Sequence, residues 1–450
     1  MTEPFVIVGG DAAGMSAASK AKREDPDREV MVFERGEWVS YAACGMPYYV
    51  KGTVKNLDNL VAVTPEEFRQ ERDIDVRTGH EVIAIHPRAK SVIIEANGER
   101  FDQAYDDLLL ATGARAVEPP FEGIDLEGVF TLRSMDEADA IEQYMTGIVP
   151  ETAAIVGGGY VGVEMAEALV ERGVDVSMFE MLPHILQPFG EETAQIVEEH
   201  LRDQGVELHL ETTVEAFVGG DRVESVELAD EEMMPSELVI IGIGVTPNVE
   251  LAKDAGIELG PTGAIATDEY GRTNVEDVYA AGDCAEATNV VTGEPDHVPL
   301  ALTANRAGRS IGSTIAGGPV STGETAGTAI VKAFDLGAAR TGVIDPKQAR
   351  EAGFDPIQVT IDAPTRPHYY PGGTDLTVTL VADQDSERVL GGSLVGHEGA
   401  KRIDTLATAV TTGLTVSELQ NLDLAYAPPF SPVWDPILTA AKVLGGKLDR

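Results

Sequence analysis

The chain has 450 residues, 43% of them hydrophobic, with 76 acidic against 33 basic side chains and a formal charge of −43. That length supports two or three packed domains, and the apolar content excludes an acidic disordered segment. Such a charge repels nucleic acid and anionic membranes, and no apolar run reaches membrane-span length.

The acids are spread along the chain, and arginine outnumbers lysine roughly two to one. We read this as a halophilic surface, because at 1 M salt screening acts over about 3 Å and tames self-repulsion. Two cysteines exclude a disulfide framework and fit a reducing compartment. Met1-Thr2-Glu3-Pro4 enters a strand with no leader pattern, so a cytoplasmic location is expected.

The first strand, from Phe5, runs into a glycine-rich turn with Gly9, Gly10 and Gly14. An alanine-rich helix through Lys22 follows, then a second strand from Glu29 to the acid Glu34. In such a unit the glycines make the turn and admit a pyrophosphate to the helix N-terminus, while the terminal acid accepts from a ribose. Asp11 stands where the second glycine belongs, which predicts a wider phosphate approach or a water bridge.

Ser40-Tyr41-Ala42-Ala43-Cys44-Gly45-Met46-Pro47-Tyr48-Tyr49 comes next. A dithiol centre would need a second cysteine four or five positions from Cys44, and the residue four earlier is Ser40. A lone thiol working with a redox cofactor carries its oxidised state as a sulfenic acid or as a mixed disulfide with a small thiol. An inert, packed thiol is the alternative.

Leu108 to Leu110 reads as a buried strand that ends in the small residues Ala111, Thr112 and Gly113. A second glycine turn, with Gly157, Gly159 and Gly162, lies about 148 residues after the first and is followed by a helix to about Arg172. Its second strand runs from Asp175 to Glu180. One such fingerprint is a weak signal, whereas two complete copies, each with its acid, predict two dinucleotide sites. Met181, Leu182, Pro183 and His184 offer no cation for a 2′-phosphate, which favours NADH over NADPH.

Val239 to Ile241, ending at Gly242 and Gly244, and Val278 to Gly282 are further buried strands. Asp283 follows the second of them and suits a polyhydroxyl chain, and Cys284 reads as a packed thiol. Beyond about Thr325 the pattern changes to antiparallel strands at 359–362, 376–381 and 389–395. Helices at 401–412 and 416–419 complete an α+β unit.

Taken together, these motifs resemble the FAD-dependent pyridine nucleotide-disulfide oxidoreductases over essentially the whole chain. The Ser40-to-Cys44 spacing resembles the single-cysteine branch, which contains NADH peroxidases, NADH oxidases and coenzyme A disulfide reductases. The peroxidases and water-forming oxidases carry a histidine where this chain has Ala12. Cys44-Gly45-Met46-Pro47-Tyr48-Tyr49 is most similar to the coenzyme A disulfide reductase form.

The resemblance implies an α/β fold of two doubly wound, Rossmann-like domains and a C-terminal α+β dimerisation domain. The FAD domain would take residues 1–115 and 255–325, the NAD(P)H domain 116–254 and the dimerisation domain 326–450. It also implies FAD and NADH, with NADPH as the alternative, and a homodimer. Ala12, Ala13, Arg35, Ala301 and Gly244 are counted with the cofactor-binding residues. Tyr426 and either Tyr369 or Tyr370 would reach the partner's active site, and Lys20, Lys22 and Arg23 would hold coenzyme A phosphates. No metal is expected. With the sequence ending at Arg450, the rhodanese-like domain of some persulfide-reducing relatives is not expected.

The implied activity is NADH-driven reduction of coenzyme A disulfide, or a related small disulfide, through FAD and a Cys44 mixed disulfide. The Cys44 thiolate would be stabilised by a helix N-terminus and by Ser40. An NADH oxidase or peroxidase using a Cys44 sulfenic acid is the alternative enzyme. A flavin-bound redox sensor without turnover is the alternative of another class.

Overall fold

The computed structural model describes residues 3–448. Phe5–Val8 is buried on both faces, as a central parallel strand must be. It pairs in parallel with Val30–Phe33 on one side and Asp107–Leu110 on the other. Asp75–Arg77 and Val278–Ala280 complete the five-stranded sheet. The last strand therefore returns from far along the chain.

What brings it back is the helix Ala301–Gly317, which packs on the first helix, Ala12–Glu24. Glycines set the approach: a Cβ on Gly308 would fall 2.1 Å from the Ala13 carbonyl oxygen, and one on Gly312 would fall 2.4 Å from that of Ala17. Only hydrogen fits there.

The second unit repeats the plan. Thr152–Val156 lies at the centre, flanked by Asp175–Phe179 and Leu238–Ile241, with Glu207–His209 and Val129–Thr131 outside. Two three-stranded antiparallel sheets, at 81–104 and 214–235, are appended to the parallel ones. In each parallel sheet the strand order reverses beside the central strand, and the crevice at its carboxyl end is where such folds take ligands.

The two units are joined by a narrow crossing. Ala114–Ala116 pairs antiparallel with Val245–Pro247. Asn248 N donates to the Gly113 carbonyl at 3.0 Å, and Thr112 Oγ1 donates to the Asn248 carbonyl at 2.7 Å.

The C-terminal unit is a five-stranded antiparallel sheet in the spatial order Ala329–Ala333, Leu336–Gly342, Val389–Gly396, Asp375–Asp383, Pro356–Pro364. Ile403–Thr412 and Pro436–Leu448 cover it. Its first hairpin docks on the second unit. Glu167, only 3% exposed, accepts from Lys332 Nζ at 2.8 Å and Phe334 N at 2.7 Å. It also accepts from Lys51 of the first unit. One buried carboxylate thus ties three bodies. Among the described residues no helix is long and apolar enough to cross a membrane.

Candidate functional site

Both glycine turns have the shape that a dinucleotide requires. At Gly9, with φ of +107°, a Cβ would sit 2.1 Å from the Ala111 carbonyl oxygen, and at Gly14 one would sit 2.0 Å from that of Gly9. In the second turn Gly157, with φ of +104°, and Gly162 are blocked in the same way by Gly242 and Gly157. A Cβ on Gly159 would meet nothing nearer than 3.7 Å. Its lack of a side chain keeps the helix N-terminus open to an incoming phosphate.

The two acids are held alike. Glu34 accepts from Gly10 N and Gly36 N, each at 2.8 Å. Glu180 accepts from Gly158 N at 2.8 Å and Leu182 N at 2.9 Å. Each carboxylate is fixed at its strand end with lone pairs left for a ribose diol. The residues fit FAD at the first turn and a nicotinamide nucleotide at the second.

Around the first turn, Ala13 is buried and packs against Gly282. Ala301 opens the long helix, while Arg35 points to solvent. Gly113 and Gly244 both adopt positive φ at the crossing between the units. Asp283 pairs with Arg133 Nη2 at 2.5 Å. That arginine comes from the second unit, and no local motif in the sequence announced it.

Asp11 departs from expectation. Its side chain does not cap the helix it precedes; its Oδ1 accepts from Tyr41 N at 3.2 Å, so it pins the loop that carries Cys44. Burial pushes its carboxyl up to about 6, against the lowering effect of the Tyr41 and Ala12 amides and of Arg133.

Cys44 is exposed, in a 3₁₀ turn at Ala43–Gly45 that leads into the short helix Met46–Val50. It lines a cavity of about 510 Å³ together with Asp11, Ala12, Ser40 and Asn305. Lys20, which also pairs with Glu24 at 2.5 Å, and Arg23, Arg72 and Arg309 bring four cations to the same cavity, and among the described residues Asp11 is the only acid in its wall. Arg72 and Arg309 went unseen in the sequence because they come from distant helices. Lys22, expected beside Lys20, instead pairs with Asp73 at 2.6 Å and donates to the Arg28 carbonyl at 3.1 Å, outside the cavity.

The expected stabilisation of the thiolate also needs correction. A five-residue helix aligns too few peptide dipoles to act as an anion site. Among the described residues Ser40 makes no hydrogen bond to Cys44, and its backbone is held at φ of +50°. Desolvation and the Glu164 carboxylate raise the Cys44 thiol above its ordinary range, with Arg133 opposing. Cys284, in contrast, is wholly buried, and its Sγ lies 3.5 Å from the Leu110 carbonyl oxygen.

Tyr369 and Tyr426 are exposed, as are Phe430, Val433 and Trp434. Tyr369 and Tyr426 meet hydroxyl to hydroxyl at 3.2 Å. Tyr370 instead stacks beneath the Arg366 guanidinium, 5.9 Å from the ring centre. The structure thus pairs Tyr369, not Tyr370, with Tyr426. Neither Tyr369 nor Tyr426 lines the Cys44 cavity of its own chain.

Residues 3–308 match the pyridine nucleotide-disulphide oxidoreductase family, and residues 328–436 match the dimerisation domain of that family. The chain is 42% identical over 445 residues to the NAD(P)H coenzyme A polysulfide/persulfide reductase of Pyrococcus horikoshii, covering 99% of each. It is 35% identical over 443 residues to an NADH oxidase of Methanocaldococcus jannaschii, covering 97% of each. A solved NAD-dependent persulfide reductase from A. fulgidus superimposes with a TM-score of 0.96 at 42% identity, over 99% of this chain and 83% of that one.

Proposed function

The chain belongs to the pyridine nucleotide-disulphide oxidoreductase family, and from that premise we propose that it reduces coenzyme A disulfide, or a related small sulfur–sulfur substrate, at Cys44. FAD and NAD(P)H are the cofactors of the family and supply the two electrons when bound. The observation that carries the substrate class is the cavity: an exposed cysteine facing four cations in a protein of charge −43. Cations gathered at one place in so acidic a chain suit a thiol that carries several phosphates.

In this reading the FAD-binding body takes residues 1–115 and 255–325, and residues 116–254 form the nicotinamide-binding body. Glu34 and Glu180 hold the two riboses, and Asp283 meets the polyol of the flavin side. Cys44 rests as a mixed disulfide with the small thiol. Two-electron cleavage releases that thiol and leaves Cys44 as a thiolate, which attacks the next disulfide and expels a second thiolate. Ser40, at the position of a second cysteine, leaves the small thiol as the only disulfide partner within reach. The partner subunit's Tyr426, paired with Tyr369, donates a proton to the departing sulfur. The match of residues 328–436 to a dimerisation domain, with the exposed Phe430, Val433 and Trp434, supports residues 326–450 as the homodimer contact.

Mass spectrometry of protein purified without reductant is expected to find a small-thiol adduct on Cys44 and none on Cys284. Cys44→Ser is expected to keep flavin reduction by NADH and to lose disulfide reduction. A resting Cys44–Cys284 disulfide, or full disulfide turnover by the serine variant, would overturn the reading. A Cys44 sulfenic acid with NADH consumption that needs only oxygen would instead support the oxidase.

A further inference from the structure

The two glycine turns are built alike and differ at one place. Gly9 and Gly157 are each blocked by the carbonyl oxygen of a neighbouring strand end, and Gly14 and Gly162 by those of Gly9 and Gly157. Asp11 and Gly159 each immediately precede a helix, Ala12–Glu24 and Tyr160–Glu171, with φ of −111° and −78° and ψ of −147° and −169°. A Cβ on Gly159 would have room, so that place stays open in the second turn. In the first turn the same place carries a carboxyl group, at the helix end that receives the diphosphate of a dinucleotide.

This carboxyl group does not serve the helix, because it makes no side-chain cap. Its Oδ1 accepts from Tyr41 N at 3.2 Å. Among the described residues Asp11 has no ion-pair partner: Arg133, the cation that acts on it, is paired with Asp283 at 2.5 Å. Glu34, which accepts from Gly10 N at 2.8 Å, is a second anion at the turn. Tyr41 faces Asp11 from the Cys44 loop, with Glu137 beyond it. A ring nitrogen of His297 lies 2.8 Å from the Asp283 carbonyl oxygen. Cys44 and the cations Lys20, Arg23, Arg72 and Arg309 line the cavity that Asp11 shares.

We propose that binding of FAD protonates Asp11: the diphosphate of the flavin is held beside a neutral acid, and the flavin is released more readily as the pH rises. This rests on the reading of the first turn as the flavin's. A carboxylate and a diphosphate at one helix end are like charges competing for the same dipole, in a place where burial already disfavours charge. One proton from solvent removes the conflict and goes back to solvent when the flavin leaves. The neutral carboxyl keeps a carbonyl oxygen for Tyr41 N, so the Cys44 loop stays pinned.

The surroundings agree. Burial has pushed the Asp11 carboxyl up to about 6, ahead of the lowering effect of the Tyr41 and Ala12 amides and of Arg133. An anionic diphosphate raises it further. Below about pH 6 the carboxyl is therefore neutral with or without FAD, and affinity is level. Above that the empty turn holds a carboxylate that must take up a proton to receive the flavin. The dissociation constant then climbs by up to about tenfold per pH unit, until the carboxyl ionises in the bound form as well.

The test is the FAD dissociation constant of the full-chain holoenzyme, read from free-flavin fluorescence after dilution to equilibrium between about pH 5 and pH 8. Molar salt is kept constant, so that surface charges are screened over about 3 Å, and FAD has no group that titrates in this range. The wild type should be level on the acid side and weaken by about tenfold or more between about pH 6 and pH 8. Asp11→Asn keeps an acceptor for Tyr41 N and cannot ionise. Its affinity should be level throughout and should exceed that of the wild type at the alkaline end by the same factor. Asp11→Gly restores the glycine of the second turn and should also be level, which covers the case in which the asparagine variant fails to fold.

A wild-type dissociation constant that stays within about twofold over the whole range would overturn the proposal. So would a slope that survives in both variants, which would assign it to another group such as His297. Gly14→Ala separates this proposal from the placement of FAD. Loss of flavin in that variant, beside a wild-type slope in the Asp11 variants, sinks the proposal alone. Retention of flavin there sinks the placement of FAD at the first turn, and the proposal with it.

Discussion

Replacing Glu167 by alanine should open the junction between the three bodies by about 2–4 kcal/mol, a range built from its individual partners. Removing one member of a buried ion pair costs about 3–5 kcal/mol when the other charge is stranded. Here neither lysine is fully stranded. Lys51 keeps Glu171 at 2.8 Å, and the Lys332 side chain is 50% exposed and can return to water. The unavoidable loss is the acceptor of the Phe334 amide, worth about 1–3 kcal/mol when buried and unpaired, together with part of the Lys51 interaction. Glu167→Gln keeps a carbonyl for Phe334 and loses only the charge, so about half of the effect is expected.

Hydrogen exchange at the Phe334 amide, in molar salt, reads this opening directly. At about 1.4 kcal/mol per factor of ten, Glu167→Ala should accelerate exchange there by about 30- to 1,000-fold. Burial raises the Glu167 carboxyl, but Lys332, Lys51 and the Phe334 amide outweigh it and hold it below 4.5. Its contribution is therefore complete above pH 4.5 and is lost as the pH falls through the lower folded value. Lys51 is held above 10.5, because its two glutamates outweigh desolvation, and its contribution is lost only as the pH rises through that higher value. The junction should be insensitive to pH between these limits. Exchange at Phe334 within threefold of wild type in the alanine variant would refute the reasoning.

Three further outcomes are expected. NADH should exceed NADPH in kcat/KM by roughly tenfold, about 1.4 kcal/mol, because the fixed Glu180 carboxylate repels a 2′-phosphate, and a clear NADPH preference would refute this. Gly14→Ala should abolish FAD retention, since its Cβ would lie 2.0 Å from a carbonyl oxygen; Gly162→Ala should keep the flavin colour and lose NADH binding, both read by absorbance and fluorescence titration. Lowering the salt from 1 M to 0.1 M lengthens screening from about 3 to about 10 Å, so light scattering should show the dimer dissociating before the cores melt. Disulfide reduction should fall with it, and full activity in a demonstrated monomer would exclude the shared role of Tyr426.

Much of the architecture was legible because it rests on short-range rules. Phe5–Val8, Thr152–Val156 and Val278–Ala280 are apolar runs that end in glycine or other small residues. The turns at Gly9 and Gly157 repeat one steric requirement. Glu99–Ala104, by contrast, is a strand with no buried residue, so it carries no alternation to read. Pro436–Leu448 contains two adjacent glycines, which weaken a helical signal. The Ala329–Gly342 hairpin hides its purpose, because Lys332 and Phe334 gain meaning only against Glu167.

The site divides in the same way. Cys44, Glu34 and Glu180 are announced by their neighbours in sequence. Arg72, Arg133 and Arg309 converge on the site only through the fold. The expectation of a stabilised thiolate counted a helix N-terminus without its length, which the sequence does not show.

The crossing at Gly113 and Asn248 makes the second unit, the one proposed to bind the nicotinamide, a detachable cassette. Both ends of residues 114–247 leave the first sheet at one place, where Asn248 N lies 3.0 Å from the Gly113 carbonyl oxygen. A two-residue turn could close the gap after excision, and the paired strands at 114–116 and 245–247 form a ready socket for a graft. An electron-donating module of another preference could be plugged in without redesigning the flavin side. The junction sets the condition for such an exchange: a replacement without an acid at the place of Glu167 would face Lys51 and Lys332 with nothing between them. Interchangeability here is decided by one carboxylate at the junction of the three bodies.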